Sequence, residues 1–326
     1  MKAVVRSRYG SPAVLSLRDV PPPEPTEDEV LIRVHATSLN AYDWRMLRAD
    51  PFFIRFAEGL LRPKMSILGA DTAGTVEEVG KNVTRFKPGD EVFGSLSETR
   101  CGGLAEFVCT RENYLAGKPE TVSFEEAAAV PMAALTALQA FRDEGNVQPG
   151  QQVLINGASG GVGTFAVQIA KVLGAEVTAV CSTGKIELMR ELGADHVIDY
   201  KRESITQGGR AYNMILAVNG YQTLSDYVSI LAPGGVYMAV GGTMRQIFAA
   251  MLKGPRIAKK NGFKIGSMTE KPNSRDLAVM GEWLKTGKVK PVIDKVYALE
   301  ETAAAFRHLE EGHARGKIVV SMRSSN

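Results

Sequence analysis

Along residues 1 to about 120, apolar positions come in short runs broken by Gly and Pro. Val30-Leu31-Ile32-Arg33-Val34 follows the Pro21-Pro22-Pro23 run, and Ala73-Gly74-Thr75-Val76-Glu77-Glu78-Val79-Gly80, Asp90-Glu91-Val92-Phe93-Gly94 and Ala105-Glu106-Phe107-Val108 repeat the style. Such runs predict the short strands of an irregular, barrel-like β domain. From about residue 121 the rhythm changes to helix, strand, helix, strand. Ser123 is placed to cap a helix whose first turn carries Glu125 and Glu126, where the helix dipole favours acids. Apolar runs then recur at 153–155, 177–180, 196–198, 214–218 and 236–240, separated by helical patterns over 161–173, 184–192 and 224–231. Continuous apolar strands alternating with helices predict a parallel sheet covered on both faces, an α/β domain. Beyond about 268 the pattern predicts a helix over 275–285, a strand near 295–297, a helix over 300–309 and a last strand, Lys317-Ile318-Val319-Val320. That tail is too short for a domain of its own, so the expected division is 1–122 completed by 269–326, with 123–268 as the second domain.

The length of 326 residues agrees with two domains, because a single core rarely keeps growing to that size. The net charge of +3 is spread along the chain, and the one dense basic cluster, Lys253 to Lys264, reads as an exposed helix face. A nucleic-acid partner would need a broader basic surface, so none is expected. Cys101, Cys109 and Cys181 form no CxxC pair, which points to thiols in a reducing compartment. The N-terminus reads as a strand interrupted by charge and not as a signal peptide. The most apolar stretch, 127–140, contains Pro131 and falls short of the ~20 residues a bilayer requires. A cytoplasmic location is expected.

The strand at 152–156 runs directly into Gly157-Ala158-Ser159-Gly160-Gly161-Val162-Gly163, and a helix pattern starts near Gly161. Glycines where a strand becomes a helix let the backbone approach a pyrophosphate, which the amides and positive end of the helix then hold. The second strand distinguishes the dinucleotide. NAD binding calls for an acid about 20 residues on, to accept from the ribose 2′-hydroxyl. Here that strand ends Val180-Cys181-Ser182-Thr183-Gly184-Lys185, with no acid before Glu187. Two hydroxyls and an ammonium suit a 2′-phosphate, and Tyr200 after the third strand can join them. NADPH is the expected cofactor.

Several separated segments carry a resemblance to a known family. They are Asn40-Ala41-Tyr42-Asp43-Trp44, Leu68-Gly69-Ala70-Asp71-Thr72-Ala73-Gly74, Phe86-Lys87-Pro88-Gly89-Asp90-Glu91-Val92, Pro131-Met132-Ala133-Ala134-Leu135-Thr136-Ala137, the 157–163 turn and Gly316-Lys317-Ile318-Val319-Val320. Together they resemble the medium-chain dehydrogenase/reductases, specifically the zinc-free quinone-oxidoreductase-like branch. The resemblance implies a GroES-like β-barrel catalytic domain beside a Rossmann domain with a doubly wound parallel sheet, and substrate entry between them. It implies that Asn40 and Thr136 reach the nicotinamide ribose and carboxamide, that Val240, Gly241 and Gly242 line the nicotinamide pocket, and that Lys317 approaches the cofactor phosphates. Homodimers paired through the edge of the Rossmann sheet are common in that family, which makes a homodimer the expectation.

Zinc-dependent relatives carry a Cys near the place of Asn40 to Asp43 and Gly-His-Glu at the place of Gly69-Ala70-Asp71. Both ligand residues are missing here, and Cys101 is the sole cysteine where a four-cysteine zinc lobe would sit, so no metal is expected. Hydride transfer to an already polarised acceptor, a quinone or an α,β-unsaturated carbonyl, needs mainly orientation and water exclusion. For an enone the α-carbon must also be protonated, with Tyr42, Asp43 or solvent as the source. Where some relatives place a Tyr five residues after the Asn, this chain has Arg45, and Ala217-Val218-Asn219-Gly220 replaces an acid, Val and Gly-Gly. A chain that binds NADPH with little turnover, as a redox sensor or scaffold, is the alternative. Residues 51–62, dense in Phe and Leu with flanking Arg, read as a lid over an apolar pocket or a contact between two copies, ahead of a membrane-facing surface.

Overall fold

The computed structural model describes residues 1–99, 101–220 and 222–322. The last four residues of the predicted return segment, 323–326, lie outside them. Two compact units emerge, Met1–Leu135 with Lys271–Asn326, and Thr136–Glu270.

The first unit holds β1 (Lys2–Arg6), β2 (Leu15–Asp19), β3 (Glu29–Leu39), β4 (Asp71–Val79), β5 (Glu91–Ser95), β6 (Phe107–Arg111) and β7 (Leu115–Gly117). Between β3 and β4 lie α1 (Ala41–Arg48) and α2 (Ile54–Glu58). The alternation in β3 sends Val30, Ile32 and Val34 into a core shared with Val76, Val92, Val108 and Leu115. After β7 come α3 (Phe124–Ala128) and α4 (Pro131–Gln139). Ser123 caps α3 as expected, its hydroxyl accepting from Glu126 N at 3.1 Å. This helix packs on β3, β4 and β5, which is why the first unit continues past the change of rhythm at residue 122.

The second unit contains β8 (Gln152–Asn156), α5 (Gly161–Val172), β9 (Glu176–Cys181), α6 (Ile186–Glu191), β10 (His196–Asp199), β11 (Tyr212–Ala217), α7 (Leu224–Ser229), β12 (Leu231–Ala239), α8 (Met244–Asn261) and β13 (Lys264–Ser267). Its six strands are all parallel, in the order β10-β9-β8-β11-β12-β13. The order reverses between β8 and β11, the place where doubly wound sheets bind ligands beyond their carboxyl ends. Val153, Leu154 and Ile155 are wholly buried, as a central strand requires. The pattern showed only the basic second half of α8, because Gly254 and Pro255 interrupt its helical character.

The chain then returns through α9 (Ser274–Lys285), β14 (Ile293–Ala298), α10 (Thr302–Glu311) and β15 (Lys317–Ser321) to the first unit. The larger sheet there runs β14-β15-β3-β4-β5-β7, with β6 also on β3. The predicted return is thus a pair of parallel strands added to the first sheet.

Candidate active site

The predicted residues fall into two groups, one in each unit. In the second, Gly157 to Gly163 links the carboxyl end of β8 to α5. Gly157 has φ +84, and a Cβ on it would come 2.7 Å from Asn219 N. A Cβ on Gly163 would meet Gly157 O at 2.3 Å, so that glycine allows α5 to close on the turn. Gly160 differs. Its φ of −86 suits any residue, and a Cβ there would touch nothing nearer than Gly157 O at 3.6 Å. Neither backbone conformation nor protein packing requires glycine at 160. Gly160 is also the N-cap of α5, so no side chain satisfies the first-turn amides. Ser159 and Val162 complete the turn, Ser159 buried and Val162 half-buried.

At the end of β9, Ser182 begins the turn 183–185 and Lys185 is half-buried at the start of α6. The exposed Thr183 donates its hydroxyl proton to Asp199 Oδ2 at 2.6 Å. The pairing of β10 with β9 sets Asp199 beside Cys181 and brings this carboxylate to the turn. The bond from Thr183 holds the Asp199 carboxyl below its ordinary range, and Arg202 lies 3.5 Å away. Asp199 was not foreseen as part of this site; its position at the end of the third strand was the available signal. Tyr200 N donates to Cys181 O at 3.1 Å, leaving an exposed ring beside the same strand ends.

Two neighbouring strands finish this edge. Val240 N donates to Ala217 O at 3.1 Å, which carries Val240, Gly241 and Gly242 beyond the end of β12. A Cβ on Gly241 would come 2.6 Å from Val218 O, and Gly242 has φ +83. Asn219, where relatives differ, is tied to β8 through its amide, which donates to Asn156 O at 3.2 Å. Glycine turn, β9 end, Tyr200 and residues 240–242 therefore stand at the carboxyl ends of one sheet.

In the first unit, strand pairing builds a buried polar group. β15 runs antiparallel to β3 with Ile318 opposite Leu39, so Lys317 comes level with Asn40. β4 begins at Asp71, alongside Ser38. Asp71 Oδ2 accepts from Ser38 Oγ at 2.6 Å and from Asn40 Nδ2 at 2.8 Å, while Oδ1 accepts from Met132 N at 2.9 Å. The Lys317 ammonium bonds Asn40 Oδ1 and lies 3.4 Å from Asp71 Oδ2. Lys317 is only 2% exposed, and its burial pulls its pKa below the ordinary lysine range. The partners of the Lys317 ammonium, Asn40 and Asp71, belong to its own unit. Asn40 bonds both Asp71 and Lys317 through its side-chain amide.

Asp43 is fully buried and accepts from the amides of Asn40 and Gly69 at 2.9 Å and of Ala70 at 3.1 Å. It fastens the start of α1 to the loop before β4. Burial raises its pKa to about 6, with the Asp71 charge adding to the effect. Tyr42 shares a hydrogen bond with Cys101, and burial drives its pKa far above the ordinary phenol range. Thr136, on α4 where the second unit begins, is buried.

The residues at the zinc positions do not fit a zinc ion, because Asp71 already holds an ammonium and its neighbours are an amide and an alanine. Among the described residues no group of three His, Cys, Asp or Glu side chains converges.

Residues 26–140 match the family model described as alcohol dehydrogenase GroES-like domain, and 192–320 the one described as zinc-binding dehydrogenase. A mitochondrial NAD(P)H oxidoreductase of Bos taurus is 35% identical, over 99% of this chain and 89% of its own. The 2-methylene-furan-3-one reductase of Solanum lycopersicum is 34% identical, over 98% and 79%. The solved quinone oxidoreductase of Coxiella burnetii superposes with a TM-score of 0.90 at 30% identity, covering 99% of both chains. The chain belongs to the medium-chain dehydrogenase/reductase superfamily, in its quinone-oxidoreductase-like branch.

Proposed function

We propose that this chain is a metal-independent reductase of quinones or α,β-unsaturated carbonyls that uses NADPH in preference to NADH. The observation that carries the reading is Gly160: a glycine that neither conformation nor packing requires, at the uncapped start of α5. The bound nicotinamide supplies a hydride. Relatives named as NAD(P)H oxidoreductase and furanone reductase support this chemistry.

The first-turn amides of α5 hold the pyrophosphate, with the helix dipole favouring its charge. Ser182, Lys185 and Tyr200 receive the 2′-phosphate. Asp199 does not repel it, because Thr183 and Arg202 offset the carboxylate. Val240, Gly241 and Gly242 shape the nicotinamide pocket, where absent side chains admit a flat ring. Asn40, Asp71 and Lys317 act as a rigid support under the first unit's surface. Tyr42 and Asp43 are poor proton donors, one committed to Cys101 and the other enclosed by three amides. Water therefore protonates the α-carbon of the enolate left when an enone takes up hydride at its β-carbon.

The test is NADPH oxidation by the purified chain with a panel of quinones and enones, before and after treatment with a chelator. Turnover that survives the chelator is expected. Binding of NADPH without turnover on either panel refutes the reductase reading and favours a sensor.

A further inference from the structure

We propose that the outer face of α8, together with the groove between α8 and α7, is a docking site for an anionic phospholipid bilayer. This inference is independent of the redox reading. The inner face of α8 is seated by Gln246, Ala250 and Gly254, all buried. A Cβ on Gly254 would come 2.8 Å from Ile265 Cγ2, so glycine lets the helix lie close on β13. The outer face is different in kind: Met251 is 55% and Leu252 74% exposed.

Beside this ridge the helix carries Arg245, Lys253, Arg256, Lys259 and Lys260, and its 18 residues include no acid. Acids one turn from these cations would stabilise the helix, and it has none. Among the described residues none of these five forms an ion pair. A cavity of about 400 Å³ opens on the same flank, lined by Ser225, Arg256 and Lys260 together with Val228 and Ile257. Ser229 also lines it, but its hydroxyl proton is held by Asp226 O at 2.7 Å. Asn261 lines it as well, its amide donating to Ile257 O at 2.9 Å, and Arg256, Lys260 and Ser225 supply further donors.

Two cations and a hydroxyl suit a phosphodiester, which charge-assisted bonds hold well. A free phosphate or a nucleic acid would have no use for Met251 and Leu252. An apolar ridge with a cationic shoulder on one helix suits a bilayer surface, where the ridge enters the acyl boundary and the cations meet headgroups. Among the described residues no helix is long and apolar enough to cross a membrane, so docking by α8 is attachment to one face.

The test is flotation of the full chain with vesicles of phosphatidylcholine alone and of phosphatidylcholine with phosphatidylglycerol. Binding only to the second, weakening with salt, is expected. Arg256→Glu with Lys260→Glu should lower that binding at least about thirtyfold, from ~1 kcal/mol per cation at an anionic surface. Leu252→Asp should lower it too, with the thermal midpoint unchanged because the side chain is exposed. Equal partition to both vesicle types overturns the proposal. So does binding that survives charge reversal, or that inorganic phosphate at millimolar concentration displaces, since the groove would then be a free-anion site.

Discussion

Lys317 and Asp71, distant in sequence, meet as a buried pair: the ammonium is 3.4 Å from Asp71 Oδ2 and also bonds Asn40. Removing one member of such a pair leaves a charge in low dielectric and typically costs 3–5 kcal/mol, more than the pair itself contributes. Lys317→Met should therefore destabilise the fold by roughly 3 kcal/mol in urea unfolding. Asp71→Asn in the same chain should restore part of that loss. Independent, additive effects of the two changes would show that the pair is not coupled.

Asp43 predicts a pH dependence. Its folded pKa is raised from 3.8 to about 6, so the native chain keeps this proton to higher pH than the unfolded chain. The stability it contributes is fully present below 3.8 and is lost as pH rises through about 6. Glu176, Asp195, Asp199 and Glu310 have depressed pKa values and act in the opposite sense. They are common to the parent and to Asp43→Asn, so the difference between the two stability curves isolates Asp43. Parallel curves between pH 4 and 6 would remove this account of Asp43.

Gly160, the cap of α5, and Gly163, in its first turn, predict different failures. Gly163→Val drives a side chain into Gly157 O and Ala158, where backbone cannot yield, and should lower the thermal midpoint sharply. Gly160→Val places its Cβ in ordinary contact with Gly157 O, costs about 1 kcal/mol or less as a poorer cap, and should abolish dinucleotide binding in a folded protein. Circular dichroism with cofactor fluorescence separates these outcomes. Retained binding in Gly160→Val contradicts the assigned turn.

Lys185→Ala tests the proposed preference for NADPH. Charge-assisted bonds are worth about 1.5–3 kcal/mol, so Lys185→Ala should weaken NADPH roughly tenfold to a hundredfold and leave NADH nearly unchanged. Equal loss for both dinucleotides would assign Lys185 to the fold. Thr183→Val tests Asp199 separately: with its main donor gone, the carboxylate should weaken NADPH more than NADH.

The parallel sheet and the glycine turn were legible because their signals are local: apolar runs such as 153–155, and a strand passing straight into Gly157. The family segments located Asn40, Asp71 and Lys317 individually but not their meeting. That meeting follows from β15 pairing with β3 and β3 with β4, contacts that no local spacing encodes. Asp199 was missed for the same reason, since it reaches Thr183 through the pairing of β10 with β9. α8 was half-seen because Gly254 and Pro255 disguise it, although Gly254 is what seats it on β13.

Calorimetric titration of the purified chain with NADPH and with NADH bears most directly on the phosphate turn and its 2′-phosphate neighbours. One site per chain is expected, at least about tenfold tighter for NADPH, the least that a single charge-assisted bond provides. Heat from neither dinucleotide would contradict the cofactor site, and with it the reductase built on that site.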